Sequence, residues 1–459
     1  MMAGKLFGTT GVRKVYGTEF DLSMALRLGK ALGTYLGEGT VVLARDARTT
    51  GPMIEDALAA GILSTGVNVA KAGMIPTPTL AFITKHYGYN TGLMVTASHN
   101  PPEYTGVKFW GPNSMGYTPE MENEIERIYS ENRFQVAKWN NLGKEHSVDN
   151  AVEEHVASIL ERIDSKKIES REYNIIVDPG NGAGSVLTPY LMRRLACKVI
   201  SINSQPDGYF PGRASEPDEE SLTDLIKVVK DTGADLGIAH DGDADRVVFV
   251  TERGEVIRGD RTVALLAREE LKRSKERTIV TTVDSSRVLD ETVEEAGGKA
   301  VRTPVGDIQV ALKMSETEAV FGGEAAGVFI FSEFHHAPEP FLAACKILEL
   351  MASTGQAFGV LISEIPVYPL RKAKINCSNS KKSAVMAILT ESLPNAMEDT
   401  MEIIAVDGIG ISLKEGWVLV RPSGTEPAIR ITCEAPTEKQ VEKILKKAKA
   451  EVERVIGGF

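Results

Sequence analysis

Apolar positions along this chain follow two alternating rhythms. Short runs rich in β-branched residues, at 41–44, 67–70 and 93–96, read as strands. Between them Thr50 opens a segment in which Ile54, Leu58 and Ile62 recur at helical spacing, so a helix capped by Thr50 is expected, and residues 79–86 form a second helix. The same order returns twice. Strands at 175–177, 199–202 and 236–239 alternate with helices at 185–195 and 221–231, and strands at 278–283, 300–303 and 319–321 surround a helix at 286–296. This order predicts α/β units in which parallel or mixed sheets are covered by helices. The likeness of the three units is one of pattern; no sequence repeat accompanies it. Towards the C-terminus the rhythm changes. Ile375 opens a strand, 418–420 and 429–433 read as paired strands, and 438–455 is a long amphipathic helix whose Lys439, Lys443, Lys446 and Lys447 face solvent. Polar or Pro/Gly-marked stretches near 139–147, 254–259 and 366–369 divide the chain into domains at 1–150, 151–256, 257–366 and 367–459.

Composition narrows the class. A chain of 459 residues exceeds what one core supports and suits three domains, or four small ones. Apolar residues at 42% and charged residues at 25% are ordinary for a globular protein. No apolar run reaches the ~18–20 residues of a membrane span, and residues 1–13 lack a signal-peptide core. A cytoplasmic protein away from membranes is therefore expected. Cys197, Cys345, Cys377 and Cys433 are scattered, which argues against a zinc site or a disulfide framework. A formal charge of -11 weighs against nucleic acid as a partner. It leaves small anions open, because a few Arg and Lys can converge locally.

Four stretches carry chemistry. Thr96-Ala97-Ser98-His99-Asn100-Pro101 follows a strand directly. Ser98 on that turn is either a nucleophile, with His99 to tune it, or a turn residue that satisfies backbone N–H groups. Asp241-Gly242-Asp243-Ala244-Asp245-Arg246 also follows a strand. Three converging carboxylates repel one another unless a cation neutralises them, and hard oxygen ligands suit Mg²⁺. The strand-forming residues 247–250 speak against an EF-hand. Arg421-Pro422-Ser423-Gly424-Thr425-Glu426-Pro427, with Arg430, offers hydroxyls, approachable backbone and guanidinium groups suited to phosphate, or is a plain hairpin turn. Gly322-Gly323-Glu324-Ala325-Ala326-Gly327 places one carboxylate among small residues, with room for a polar ligand. Lys108 lies on a strand near Ser98, as a proton carrier or a surface residue. Asp178 to Gly184 lacks dinucleotide-loop spacing, so no NAD is expected.

Together, and in this order, these stretches resemble the α-D-phosphohexomutase family. Phe7-Gly8-Thr9-Thr10-Gly11-Val12-Arg13, Ala44-Arg45-Asp46-Ala47-Arg48 and Pro76-Thr77-Pro78 match its N-terminal part. The resemblance implies a four-domain, heart-shaped molecule with three similar α/β mixed-sheet domains and a smaller C-terminal α+β domain. It implies that phosphorylated Ser98 with Asp241, Asp243 and Asp245 binds one Mg²⁺, and that Lys108, Arg13, His99 and Arg246 complete the catalytic group. Glu324 and Ala326 would belong to the sugar loop. Arg421, Ser423, Gly424, Thr425 and Arg430 would hold the phosphate that is not reacting. Substrates would be hexose phosphates, the activator a hexose bisphosphate, and the assembly a monomer or homodimer.

Three positions depart from the family pattern. Ala326 stands where Ser is usual, Val328 where His often follows, and Pro304 where Lys is common. His335 or His336 is the expected substitute. The layout is most similar to archaeal-type phosphoglucosamine mutases, so glucosamine phosphate is the expected sugar, with mannose and glucose phosphates as alternatives. Two other functions remain at this point: an Mg²⁺ phosphatase using Asp241 as nucleophile, and a non-catalytic sugar-phosphate-binding relative.

Overall fold

A computed structural model of the chain describes residues 6–8, 11–423 and 426–458. The chain divides into two compact units, Met1–Thr262 with Ala326–Glu364, and Val263–Ala325 with Ile365–Phe459. Among the described residues, no helix is long and apolar enough to cross a membrane.

The first unit holds two sheets. In the larger, the strands run edge to edge as Val12–Val15, Tyr104–Trp110, Thr91–Val95, Thr40–Arg45, Asn68–Met74 and Glu145–Ser147. The four from Thr91–Val95 to Glu145–Ser147 are parallel, and the first two are antiparallel to their neighbours. The central strands are unbroken apolar runs because both faces are covered, so the alternation of a half-exposed strand is absent. Helix Leu22–Leu36 starts at Asp21, whose carboxylate accepts the Met24 N–H at 2.7 Å, and buries Ala25, Leu28, Ala31 and Leu32. It crosses helix Gly51–Leu63 at close range: a Cβ on Gly29 would lie 2.4 Å from the Leu58 carbonyl oxygen. The second sheet orders Val256–Ile257, Val247–Thr251, Leu236–His240, Asn174–Asp178 and Lys198–Ser201, with the last three parallel.

In the second unit, Lys299–Thr303, Thr278–Thr282 and Phe321–Glu324 form a parallel set. The C-terminal part is an antiparallel sheet in the order Leu370–Asn376, Ala428–Glu434, Gly416–Pro422, Ile409–Leu413 and Thr400–Ile404. Helices Asn379–Ala396 and Glu438–Gly457 cover it, burying Val385, Leu389, Val441, Ala448 and Val452. All four cysteines are buried as free thiols.

Several elements differ from the sequence expectation. Thr50 sits at the cap position, but in helical backbone (φ -77°, ψ -16°) its hydroxyl turns to Thr105 at 3.2 Å and caps nothing. The helix expected at 185–195 is a 3₁₀ turn, Ala183–Val186, followed by Thr188–Arg194, because Pro189 fits only a first helical turn. The strand expected at 319–321 begins at Phe321 and carries Glu324 at its end. Ile375 lies near the end of its strand, which starts at Leu370. Lys443 and Lys447 of the last helix are not merely solvated; both bind Glu398, at 2.8 and 2.6 Å.

Candidate active site

The Ser98 turn projects from the carboxyl end of strand Thr91–Val95, where open α/β sheets place their ligands. Ser98 is buried and held in left-handed backbone, φ 51°, a conformation that costs a non-glycine residue about 1–3 kcal/mol. Its surroundings hold it there. The Ser98 N–H donates to Thr96 Oγ1 at 2.8 Å, and Thr96 donates in turn to Asp46 Oδ2 at 2.6 Å. The Ser98 carbonyl accepts from Arg48 Nη2 at 2.9 Å and from Ser215 Oγ at 3.0 Å. This leaves the hydroxyl to donate to Asp241 Oδ2 at 2.7 Å. His99 places Nδ1 3.3 Å from Ser98 Oγ and 3.6 Å from Glu216. Burial, with the charges of Arg246, Arg13 and Lys108, pushes the His99 pKa down to about 2, so its ring is neutral.

The acidic turn follows strand Leu236–His240 and brings its three carboxylates to one point, with ligand oxygens within 4.8 Å of one another and all three residues buried. The turn is tighter than an extended run: Ala244 takes φ 54°. Gly242 is required, since a Cβ there would lie 2.7 Å from both the Ser98 carbonyl and Ser215 Oγ. Lys108, on strand Tyr104–Trp110, donates to Asp243 Oδ2 at 2.7 Å and to Asp245 Oδ2. Thr77 adds a hydroxyl bond to Asp243 at 2.6 Å. Burial drives the Asp241 carboxyl well above the usual range, reinforced by Asp245 and Asp243. Burial pushes Asp243 the same way, but the Lys108 charge and hydrogen bond and the Thr77 hydroxyl outweigh it, and its carboxyl stays low. Arg246 closes the turn: its N–H donates to Asp241 Oδ1 at 3.2 Å and its guanidinium to Glu216 at 3.0 Å. Arg13 donates to Asn100 Oδ1 at 3.1 Å.

Two carboxylate oxygens of this cluster, Asp243 Oδ1 and Asp245 Oδ1, are buried and have no partner among the described residues. Buried acceptors of that kind cost about 1–3 kcal/mol each unless something binds them. An all-oxygen donor set with two oxygens to spare fits a hard divalent cation such as Mg²⁺.

The second unit carries the other candidates. Glu324 is buried and accepts the Gly306 N–H at 2.7 Å. Arg421 binds Asp407 at 3.2 Å, and Asp407 also accepts the Val305 N–H at 3.4 Å. Arg430 is exposed and paired with Glu426 at 3.0 Å. Ser423 is buried; its hydroxyl accepts the Glu426 N–H at 3.2 Å. Lys382, from helix Asn379–Ala396, ties the loop by donating to the Ser423 carbonyl at 2.6 Å and to the Glu426 carbonyl. Gly424 and Thr425 lie outside the described residues, as do Thr9 and Thr10. In the first unit, Ala326 is exposed and presents only a methyl group, and Val328 is buried in strand Val328–Phe331.

A second buried cluster, His155, His335 and Glu339, has the composition of a metal site but not its protonation. The Ala337 N–H donates to His335 Nδ1 at 3.1 Å, so Nε2 carries the proton and donates it to Glu339 Oε2 at 2.9 Å. His155 Nε2 reaches the same oxygen at 2.9 Å, with Thr79 at its Nδ1. His335 is thus committed to Glu339, while His336 is half-buried with its N–H on Ser114. Burial raises Glu339, but the two imidazoles outweigh it and bring its pKa to about 2, whereas burial lowers His335. Both groups bind protons less readily folded than unfolded, so both contribute stability that is lost on acidification. The loss starts below about 6.5 through His335 and steepens below about 4.5 as Glu339 titrates in the unfolded chain. Melting temperatures from pH 7 to 4 should therefore fall, and Glu339→Gln should remove the steep part while lowering stability by about 3 kcal/mol at pH 7. An unchanged acid limb in that variant would contradict the assignment.

Thr77, Asp46, Arg48, Glu216 and Lys382 were not anticipated in these roles. Asp46-x-Arg48 directly after a strand was a usable signal; Glu216 and Lys382 come from segments that carry none.

Comparison with known proteins agrees with this layout. Models of the phosphoglucomutase/phosphomannomutase family match in series: α/β/α domain I at residues 4–136, domain II at 153–254, domain III at 258–368 and the C-terminal domain at 374–451. A probable phosphoglucosamine mutase of Pyrococcus abyssi is 43% identical over 99% of each chain. A phosphoglucomutase/phosphomannomutase of Thermococcus kodakarensis is 42% identical over 96% of this chain and 97% of its own. The crystal structure of a phosphoglucomutase/phosphomannomutase family protein from Burkholderia thailandensis superposes with a TM-score of 0.88 at 27% identity, covering 99% of this chain and 98% of that one.

Proposed function

The chain belongs to the α-D-phosphohexomutase family, and on that premise we propose that it interconverts glucosamine 6-phosphate and glucosamine 1-phosphate through a phosphoserine at Ser98. The observation that carries the assignment of Ser98 is its hydroxyl, 2.7 Å from Asp241 in a buried cluster with two carboxylate oxygens that have no partner among the described residues. The names of the relatives support the amino sugar, because probable phosphoglucosamine mutases of several archaea match at 41–43% identity over nearly the whole chain.

In the proposed cycle, phosphorylated Ser98 passes its phosphoryl group to the free hydroxyl of a hexose monophosphate. The P–O bond to Ser98 breaks as that to the sugar forms. The sugar hydroxyl loses a proton and Ser98 Oγ gains one. The bisphosphate then returns its other phosphoryl group to Ser98. Asp241, Asp243 and Asp245 would hold Mg²⁺, which supplies charge neutralisation at the transferring group. Lys108 and Arg13 stabilise the same charge from the protein side, and neutral His99 lies within reach of Ser98 Oγ to exchange its proton. Arg246 fixes Asp241. Glu324 takes sugar hydroxyls, and Arg421, Ser423 and Arg430, with Gly424 and Thr425, take the idle phosphate. Ala326 contributes no hydrogen bond.

The test is a panel of glucosamine, mannose and glucose phosphates with Mg²⁺, each primed with its own bisphosphate. Glucosamine 6-phosphate is expected to give the highest kcat/KM by at least about tenfold, the scale of one lost or gained polar contact. A higher value for mannose or glucose phosphate would reassign the sugar. Phosphate label on Asp241 in place of Ser98 would reassign the nucleophile.

A further inference from the structure

The guanidinium of Arg48 is fully buried, and each of its five N–H groups has a partner. Nε donates to Asp46 at 3.2 Å, Nη1 to the carbonyls of Pro101 at 2.6 Å and Tyr104 at 2.9 Å, and Nη2 to those of Ser98 at 2.9 Å and Asn100 at 2.6 Å. The Phe210 ring lies 5.1 Å from its central carbon. Four of the five bonds are therefore spent on the main chain of a single loop, the one that carries Ser98. The other side of the Ser98 residue is held by the same acid: Asp46 accepts from Thr96 Oγ1, and Thr96 Oγ1 accepts the Ser98 N–H. Asp46 also accepts the Arg48 N–H at 2.9 Å, so the two halves of the grip are one unit.

We infer that Arg48, with Asp46 and Thr96, is a positioning device that holds Ser98 in its left-handed conformation so that Oγ faces the acidic cluster in every phosphorylation state. Three features set it apart from ordinary core packing. Its bonds go to both peptide groups that flank the Ser98 Cα. The φ of 51° it maintains is one that Ser does not prefer, so the loop would rotate Oγ away if released. And a planar five-donor fork is the only side chain that can reach four carbonyls at once; lysine offers three donors from one point. The role rests on the proposed part of Ser98 as phosphoryl carrier.

Positioning predicts a loss in turnover with substrate binding intact, because Arg48 touches the reacting residue and no substrate group. In the full-length protein, Arg48→Met should lower kcat about 100-fold with KM changed less than about threefold, and Arg48→Lys should recover about tenfold of that loss. Thr96→Val keeps the shape of the core, removes the acceptor of the Ser98 N–H together with the hydroxyl bond to Asp46, and should lower kcat about tenfold at unchanged KM; it serves if the Arg48 variants do not fold. The direct readout is the rate at which glucose 1,6-bisphosphate phosphorylates Ser98, followed by intact mass, which should fall in step with kcat. Wild-type protein that takes phosphate on Ser98 alongside folded variants that take it equally fast would overturn the positioning role alone. Wild-type protein that takes no phosphate on Ser98 would overturn the carrier assignment, and this role with it.

Discussion

Ser98→Ala should abolish mutase turnover, by at least about 10³-fold in kcat, while leaving the fold and the affinity for hexose phosphates nearly unchanged. The size of the loss follows from the chemistry: the proposed cycle passes the phosphoryl group through the Ser98 hydroxyl, and alanine has none. The groups nearest that hydroxyl are Asp241 Oδ2 at 2.7 Å, which belongs to the acidic cluster, and His99 Nδ1 at 3.3 Å, which faces Glu216. The stability effect is small because the Ser98 hydroxyl makes one short bond, to an Asp241 whose carboxyl burial has already pushed well above its usual range, and one longer contact with His99 at 3.3 Å. Arg48, Ser215 and Thr96 hold the backbone of residue 98, not its side chain, so the turn survives the substitution. Turnover within tenfold of wild type in the variant would show that Ser98 is not the carrier. Calorimetric titration with the sugar phosphate, expected to be within about threefold of wild type, separates lost chemistry from lost binding.

The second large effect is expected at Lys108. Its ammonium is buried between Asp243 and Asp245, the positive charge in direct contact with a cluster of three acids. Lys108→Met keeps most of the volume and removes the charge. In chelator, the variant should lose about 3–5 kcal/mol of stability, since removing one partner of a buried pair leaves carboxylates uncompensated. Adding Mg²⁺ should narrow the gap to wild type, because a cation on the same two carboxylates replaces the lost counter-charge and binds only the folded state. Turnover at saturating Mg²⁺ should still fall about 10²–10⁴-fold, the contribution of a positioned acid or charge beside the reacting oxygen. Denaturation curves in chelator and at several Mg²⁺ concentrations provide the check. A stability gap that Mg²⁺ leaves unchanged would mean that the cation and Lys108 do not share Asp243 and Asp245.

What was legible in the sequence was the order of chemistry along the chain, and the reason is local. Each reactive stretch sits at the end of a strand with its own apolar signature, so Asp241-x-Asp243-x-Asp245 after residues 236–239 could be placed without knowing anything else. Most strands of the α/β sheets, and the helices Gly51–Leu63, Thr77–His86, Thr223–Thr232 and Arg287–Glu295, were found to within a few residues for the same reason, whereas helices Leu22–Leu36, Gly259–Arg273, Asp307–Thr317 and Pro340–Thr354 went unread. The contacts made over long sequence separation were not legible. Thr77 meets Asp243 across 166 positions and Lys108 across 135, and nothing in either local pattern announces the partner. Helix Asn379–Ala396 and the strands Thr400–Ile404 and Ile409–Leu413 also went unread: the apolar periodicity of the helix is weak, and two of the five positions in the edge strand Thr400–Ile404 are polar or charged. Compensation for Ala326 by His335 was chemically reasonable from the sequence. It is closed off by Glu339, whose carboxylate holds that imidazole four residues earlier in the chain.

Arg48 has counterparts. Arg213 gathers the carbonyls of Asp178 and His240 at 3.1 and 2.6 Å and pairs with the Asp178 carboxylate at 3.0 Å. Arg302 gathers those of Thr282, Val283, Ser285 and Ser286 and pairs with Asp290. Each α/β sheet thus ends in a guanidinium bolted to an acid and gripping main-chain oxygens. A carbonyl looks the same whatever side chain its residue bears, so these anchors are indifferent to the identity of the loop they hold. Side chains between the anchor points can be exchanged without moving the backbone that presents them. A saturation library over these loops should therefore show wide tolerance for folding and narrow tolerance for activity, and the three arginines should show the reverse of a surface residue: intolerant in both. Such a scaffold can drift from one sugar to another by loop substitution alone while its phosphoryl-transfer geometry stays where it is.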